Sequence, residues 1–369
     1  MYGLFTPGKD SMLKINSGDS LFNSFIYAYN SYQRYKFLHE TGDVVTLNKQ
    51  IQMSTDEDAI PVFDFYEEQK IAETAHKIII INARDEGSYV FQFGHRPYPS
   101  DKKCIFFSDT AFDKVEATTV NCLPLVWPWF LLEQVEATTS SKQIASFVNL
   151  TRDFCSTRLF NFCSLIGYKR KERDILVDKL LTNLDNRNIV LQYNGNTLAQ
   201  QPIGDIKYVR PGTVYNSGEQ FTILNAQTEY YNLHKSTPVD LYNNSNFILV
   251  VECTILDHID THITEKITKA LITGIPFIVV AAPLFLKRLQ DYGFKTYNTL
   301  WDESYDTMPF DVRIDTIVNL INSLDSFDWV AHAGELEAIA NHNKLNFFNL
   351  QKYKIEAFEQ FDKYIYGVL

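Results

Sequence analysis

Two kinds of apolar run alternate through the second half of this chain. In "ERDILVDKLLTNL" (172–184) Leu176, Leu180 and Leu184 recur on one helical face, whereas "FNFCSLIG" (160–167) and "RNIVLQ" (187–192) are short unbroken runs of strand length. The same alternation resumes further on. "NFILVVECTI" (246–255) reads as a buried strand, and 263–273 as a helix with Ile263, Ile267, Ala270 and Leu271 on one face and Gly274 as its C-terminal cap. "PFIVVAA" reads as the next strand, "LFLKRLQDYG" as a helix closed by Gly293, and "FKTYN" as a short strand. Strand, helix, strand in succession predicts a parallel sheet with crossover helices. Past residue 310, "DVRIDTIVNLINSL" and most of 335–369 carry helical patterning.

The first third is less regular. "FNSFIYAY", "KIIIIN" (77–82) and "KCIFFSD" (103–109) read as strands buried on both faces, with helix formers such as "FYEEQKIAETAH" between some of them. A polar stretch at 135–158 marks the expected junction between domains. The expected organisation is an N-terminal domain at 1–150, a second domain at 151–335, and C-terminal helices at 336–369 that pack back on the first. Residues 193–246, rich in Asn and Tyr, show weak periodicity and suit loops over a site.

Composition narrows the class. A chain of 369 residues with 45% hydrophobic and 21% charged residues is folded and globular, and long enough for two cores. A net charge of −11 excludes a broad basic face for nucleic acid and leaves room only for a local one. The N-terminus lacks a signal-peptide pattern, and "LPLVWPWFLL" is too short and too proline-broken to span a bilayer. A cytoplasmic protein without a membrane span is expected. Five cysteines, Cys104, Cys122, Cys155, Cys163 and Cys253, lack CxxC spacing and read as buried thiols.

Charge also singles out two helix starts. In an open α/β sheet, ligands bind beyond the carboxyl ends of the strands, where the next helix presents free N–H groups. "GYKRKERDILVDKL" places Lys169, Arg170, Lys171 and Arg173 at one such start, and "HITEK" places Thr264, Glu265 and Lys266 at another. A cation in a first helical turn opposes the macrodipole by about 0.3–1 kcal/mol, and a bound phosphate would reverse that sign. Neither place carries a GxGxxG or Walker A pattern.

Thr264, Glu265 and Lys266, followed by Ala270, Gly274, Pro276 and an apolar strand, resemble the donor-binding motif of fucosyltransferase-type glycosyltransferases. These include the fucosyltransferase-like proteins of phages and marine microbes. "GFKTYNTLWDESYD" is similar to the phage-type branch, and "RDILVDKL" to the arginine-led helix of the same family. The likeness covers roughly residues 160–325. It implies an α/β fold of the GT-B kind, two Rossmann-like domains with parallel sheets facing a cleft, and a nucleotide-sugar donor held by the C-terminal domain. GDP-sugars are among the donors to be considered, with no obligatory metal or other cofactor. By that likeness Arg173 and Lys266 bind the diphosphate and Glu265 the ribose hydroxyls, with Thr264, Lys169 and His262 beside them. The location, for a viral chain, becomes the host cytoplasm.

Transfer to a hydroxyl also needs a base. Asp85 and Glu86 in "NARDEGS" and Asp109 after "CIFFSD" are the candidates, each following a strand. The acceptor is a glycan or another hydroxyl-bearing molecule. A glycosyltransferase acting on a hydroxylated base in DNA, with "KRKER" as a small footprint, is one alternative. A non-catalytic binding or virion structural protein on the same fold is another. "DHIDTH" (257–262), with Asp257, His258, Asp260 and His262, has ligand types that could hold a metal, though it lacks the glutamate of HExxH and also reads as a polar loop.

Overall fold

The computed structural model describes residues 2–4, 13–16, 25, 28–29, 32, 60–64, 73, 78–82, 103–108, 122–127, 131, 152–167, 169–183, 189–193, 196–200, 207–209, 213–216, 219–222, 242–257 and 261–366. The chain divides into two compact units, one of Met1–Trp129 with Gln351–Leu369, the other of Phe130–Leu350.

In the first unit six strands lie in chain order: β1 (Tyr2–Leu4), β2 (Leu13–Asn16), β3 (Ile60–Asp64), β4 (Ile78–Asn82), β5 (Lys103–Ser108) and β6 (Cys122–Val126). β1 and β2 are antiparallel, and every later neighbour pair is parallel. "KIIIIN" and "KCIFFSD" are therefore strands. "FNSFIYAY" is not, because Phe25, Ala28 and Tyr29 are helical, as is Tyr32. Phe25, Tyr29 and Tyr32 recur at helical spacing, and that face meets aromatic partners. Phe25 and Tyr29 lie 5.3 and 5.1 Å from Phe361, and Tyr32 lies 5.2 Å from Phe358. Trp127, also fully buried, meets Phe25 edge-on at 5.0 Å. An apolar run with this many rings satisfies either period by composition alone, and packing selects the helix.

The second unit is built on a five-stranded sheet. Its strands are β7 (Phe160–Ile166), β8 (Ile189–Tyr193), β9 (Asn196–Gln200), β13 (Ser245–Val251) and β14 (Phe277–Val280), in the order β14-β13-β7-β8-β9. The first four in that order are parallel, and β9 closes the edge antiparallel. The weakly patterned stretch contains β10 (Lys207–Val209), β11 (Thr213–Asn216) and β12 (Glu219–Thr222), a small antiparallel sheet. β13, inside the sheet, and β14 at its edge are buried along almost their whole length, which is why both read as continuous apolar runs.

Six helices are numbered here: α1 (Lys171–Asn183), α2 (Glu265–Thr273), α3 (Phe285–Asp291), α4 (Phe310–Ser323), α5 (Ala333–Phe348) and α6 (Gln351–Tyr366). α1 buries Arg173, Leu176, Val177 and Leu180, spaced as one face. α2 begins later than its apolar pattern suggests. Ile263 precedes the helix, Thr264 caps it by accepting the Lys266 N–H, and Gly274 ends it at φ 71°. α5 packs across α2, and α6 belongs to the first unit beside β6.

"FKTYN" forms no strand: 294–296 belong to no regular element, and Tyr297 and Asn298 lie in a bend and turn. Asn343 of α5 does the work of a neighbour instead, its Oδ1 accepting the Lys295 N–H at 2.7 Å and its Nδ2 donating to the Lys295 carbonyl at 2.9 Å. Glu303 then accepts the Tyr297 N–H at 2.8 Å. Among the described residues no helix is long and apolar enough to cross a membrane.

Two outcomes follow from these contacts. A Cβ at Gly274 would lie 2.7 Å from Lys344 Cε and 3.0 Å from the Ala340 Cβ, on a left-handed backbone. Gly274→Ala should cost about 1–3 kcal/mol in denaturant unfolding. Burial pushes the Glu303 carboxyl from 4.5 up to about 7, against hydrogen bonds from Thr296 and Tyr297 that lower it and with Asp306 and Asp302 adding to the rise. Between those values the unfolded chain releases a proton that the folded one retains, so stability falls as pH rises from 4.5 to about 7 and then levels. Melting of Glu303→Gln across that range should lack this share of the decline.

Candidate functional site

The order of the second sheet contains a reversal. From β7 the chain moves to β8 on one side and later to β13 and β14 on the other, so the topological switch point lies between β7 and β13. The carboxyl ends of two such strands leave a crevice, because their following connections depart in opposite directions. α1 starts above β7, and Glu252 and Cys253 follow β13 directly.

Arginines from α1 and its approach reach across this point. Arg173, 2% exposed, donates from Nη2 to the Glu252 carbonyl at 2.8 Å. Arg170 donates from Nη1 to the Cys253 carbonyl at 2.8 Å. Both therefore satisfy backbone oxygens that the parallel ladder leaves open at its end. Burial pulls the Arg173 guanidinium below its ordinary value, with Arg170 adding to the fall and Cys253, Glu172 and Glu252 opposing it. Tyr193, the last residue of β8, donates to Asp174 at 2.8 Å and accepts the Arg170 N–H at 3.2 Å, fixing the start of α1. Lys169 is exposed, 3.9 Å from Asp174.

The other start is knit around a buried carboxyl. Glu252 is wholly buried. Its Oε2 accepts the Thr264 hydroxyl, and its Oε1 has no hydrogen-bond partner among the described residues. Lys266 Nζ lies 3.3 Å from Glu265 Oε1 and 4.0 Å from Glu252 Oε2, and also 3.3 Å from Cys253 Sγ and 3.2 Å from Thr264 Oγ1. Its side chain keeps 21% exposure, while that of Glu265 keeps 4%. Burial lowers the Lys266 ammonium, but Glu265, Glu252 and Cys253 outweigh it and hold the group well above its usual range. Glu252 moves upward, driven by burial and by Glu265, with Lys266, Thr264 and His262 opposing. Lys269, one turn along, is pushed down to about 8 by burial and Lys266 against the pull of Glu265.

The structure thus brings Arg173, Lys266, Thr264, Glu265 and buried His262 to the β13 end of the sheet, with Arg170 and Glu252 as additional members. The cation that has no helical reason to stand in α2's first turn is matched by anions from this same chain. Glu252 closes the apolar run "ILVVE", and that abrupt carboxylate is the signal by which it could have been found. Asp85, Glu86 and Asp109, the candidate bases, lie outside the described residues, as do His258 and Asp260 of "DHIDTH". Asp257 there pairs with Arg313 at 3.0 Å and accepts the Phe310 N–H at 2.8 Å, which is a helix-anchoring role. Among the described residues no group of three His, Cys, Asp or Glu side chains is placed to hold a metal ion. Cys104, Cys155, Cys163 and Cys253 form no disulfide among the described residues; Cys104 and Cys163 are buried as expected, whereas Cys155 is exposed and Cys253 only partly covered.

No model of a known protein family matches the chain, and no curated protein matches it. Several solved structures are similar over much of its length. One is the DNA modifying enzyme β-glucosyltransferase, studied with and without uridine diphosphoglucose, at 10% identity over 96% of this chain and 98% of that one, with a TM-score of 0.38. Another is an α1,3-fucosyltransferase with GDP, at 13% identity, 97% and 93% coverage, and a TM-score of 0.42. An α1,3-fucosyltransferase with GDP-fucose gives 12%, 83% and 77%, and 0.33. Likeness at that level fixes neither fold nor activity.

The Thr264 hydroxyl is the joint of this site, since it caps α2 and donates to Glu252. Thr264→Val should cost about 2–3 kcal/mol, combining a lost cap with an unsatisfied buried oxygen, and Thr264→Ser under about 1 kcal/mol, both read from denaturant midpoints.

Proposed function

We propose that the chain is a glycosyltransferase that moves a sugar from a nucleotide-sugar donor to an acceptor hydroxyl. The observation that carries the reading is the meeting of Arg170, Arg173 and Lys266 at the switch point of a parallel sheet. Open α/β sheets bind ligands at that position, and three cations there suit a diphosphate. The resemblance of 264–276 to a donor-binding motif supports the same reading.

Transfer releases a nucleoside diphosphate, so charge fixed near the leaving group stabilises the transition state more than the ground state. Arg173 and Lys266 take that role in this reading, with Lys169 and Arg170 on the flank. Lys266 then exchanges one of its carboxylate contacts for a phosphate oxygen. Glu265, released from it, accepts the ribose hydroxyls. Thr264 and His262 hold the approach to α2. The acceptor is assigned to the N-terminal domain at 1–150, and the base to one of Asp85, Glu86 and Asp109. A GDP-sugar or another nucleotide-sugar is the donor, without a metal.

The internal neutralisation of Lys266 favours a second reading, a binding protein on this fold without turnover. Calorimetry with GDP, UDP and their sugars, joined to an assay for released nucleoside diphosphate, separates the two. The enzyme reading expects saturable binding and release on adding an acceptor. Lys266→Ala should weaken binding by about tenfold or more, the worth of one charge-assisted contact, while Lys287→Ala at an exposed site leaves it unchanged. Binding without release selects the second reading, and no binding of any nucleotide rejects both.

A further inference from the structure

The transfer reading leaves Glu252 without a task, although its carboxyl stands in the middle of the cluster. The side chain is wholly buried, and only Oε2 is hydrogen-bonded, by the Thr264 hydroxyl. Oε1 meets no donor among the described residues. An ionised carboxylate out of water needs donors and cations around it, so much of this charge is left to Coulomb attraction.

Charged and titratable groups face it from several elements. Lys266 of α2 stands 4.0 Å from Oε2, His262 before that helix attracts the carboxylate, and Glu265 repels it. Arg173 comes from α1, but its Nη2 donates to the Glu252 carbonyl at 2.8 Å, and Arg170 serves the Cys253 carbonyl in the same way. Lys266 is therefore the foremost counter-ion. It is already shared, since Glu265 Oε1 lies 3.3 Å from the same ammonium.

A bound diphosphate would be a third claimant on that ammonium. Glu265 has ribose hydroxyls to turn to in the transfer reading, whereas Glu252 has neither exposure nor a second donor. A buried carboxylate that loses its counter-ion to another anion is held less well than its neutral form. Burial already moves the group upward, the direction in which a proton is gained, and Oε1 is the oxygen that lacks a donor.

We propose that Glu252 takes up one proton from solvent when the diphosphate of a nucleotide-sugar binds Lys266, which couples donor affinity to pH. Because the donor site itself rests on the transfer reading, so does this coupling. Glu252 then acts as a positioning residue. The neutral carboxyl still accepts the Thr264 hydroxyl through Oε2, so α2 stays capped while Lys266 turns to phosphate. The bound chain holds one proton more than the free chain, so affinity falls as pH rises, by up to about tenfold per pH unit. The fall begins where the free carboxyl ionises, above 4.5, and ends where the bound one does.

The test is calorimetric titration of the full chain with GDP-fucose and with UDP-glucose. Repeated between about pH 5 and pH 7 in buffers of different ionisation enthalpy, it counts the protons taken up per ligand bound. The diphosphate esters of both ligands keep a constant charge over that range, and Lys269, held at about 8, stays largely protonated. Wild type should take up a fraction approaching one proton and lose affinity as pH rises. Glu252→Gln, with unchanged circular dichroism, should bind without proton uptake and with affinity flat in pH. A further arm needs no variant: with carbon-13 at the glutamate side-chain carboxyls, one resonance should move to the protonated position as ligand is added. Saturable binding without proton uptake, uptake that survives Glu252→Gln, or carboxyl resonances that stay in place would each overturn the coupling alone. Absence of binding by either ligand would reject the transfer reading and the coupling together.

Discussion

A single buried carboxyl organises the end of the second sheet. Glu252 follows the interior strand β13 directly with no exposure, and the cost of burying such a group sets what must surround it. Thr264 donates to one oxygen and Lys266 stands 4.0 Å away, so the N-terminus of α2 is fixed over β13 by the need to satisfy that group. The backbone of the same two residues, Glu252 and Cys253, receives Arg173 and Arg170, which fixes α1 from the other side. Two crossover helices are thereby tied to one point of the sheet. Removing the carboxyl would release one helix start, and removing the arginines would leave two strand-end carbonyls to water.

This arrangement changes what the charges mean. A lysine in a first helical turn is unfavourable against the dipole alone, which makes it a strong signal in a sequence. Here Glu265 and Glu252 already compensate it, so the charge is matched from within the chain. Exchange of a carboxylate for a phosphate partner is easier at a group that keeps 21% exposure than at one fully enclosed. The arginines differ from it. Their guanidinium groups hold the carbonyls at the strand end, and Arg173 does so from a buried position.

Much of the second unit was legible because its signals are local. Gly274 marks a helix end since only a residue without a Cβ fits that backbone beside Lys344, and the strands β7, β8, β13 and β14 stand out as apolar runs because both sheet faces are covered. Thr264, Glu265 and Lys266 were legible as a helix start. What escaped depends on partners distant in sequence. "FKTYN" has strand composition, yet an asparagine 48 positions away supplies its hydrogen bonds. Within "FNSFIYAY" the described residues Phe25, Ala28 and Tyr29 are helical beside rings on α6, more than 300 residues on, as the Tyr29 to Asp362 contact spans 333 positions. Glu252 escaped because its only trace is a carboxylate that abruptly closes an apolar run, which shows neither its burial nor its partners.

The acidic balance of the chain acquires a local meaning from two regions. At the switch point the arginines and Lys266 offset Glu252, Glu265 and Asp174, and the mixture can accept an anion only through the cations that remain accessible. At a cavity beside Trp301 the rim carries Asp302 and Asp328 without a lysine or arginine among the described lining residues. Net charge alone would predict weak attraction for every anion. Placement thus counts for more than the total, since one part of the surface gathers cations and carboxylates together and another carries carboxylates without a lysine or arginine among its described lining residues.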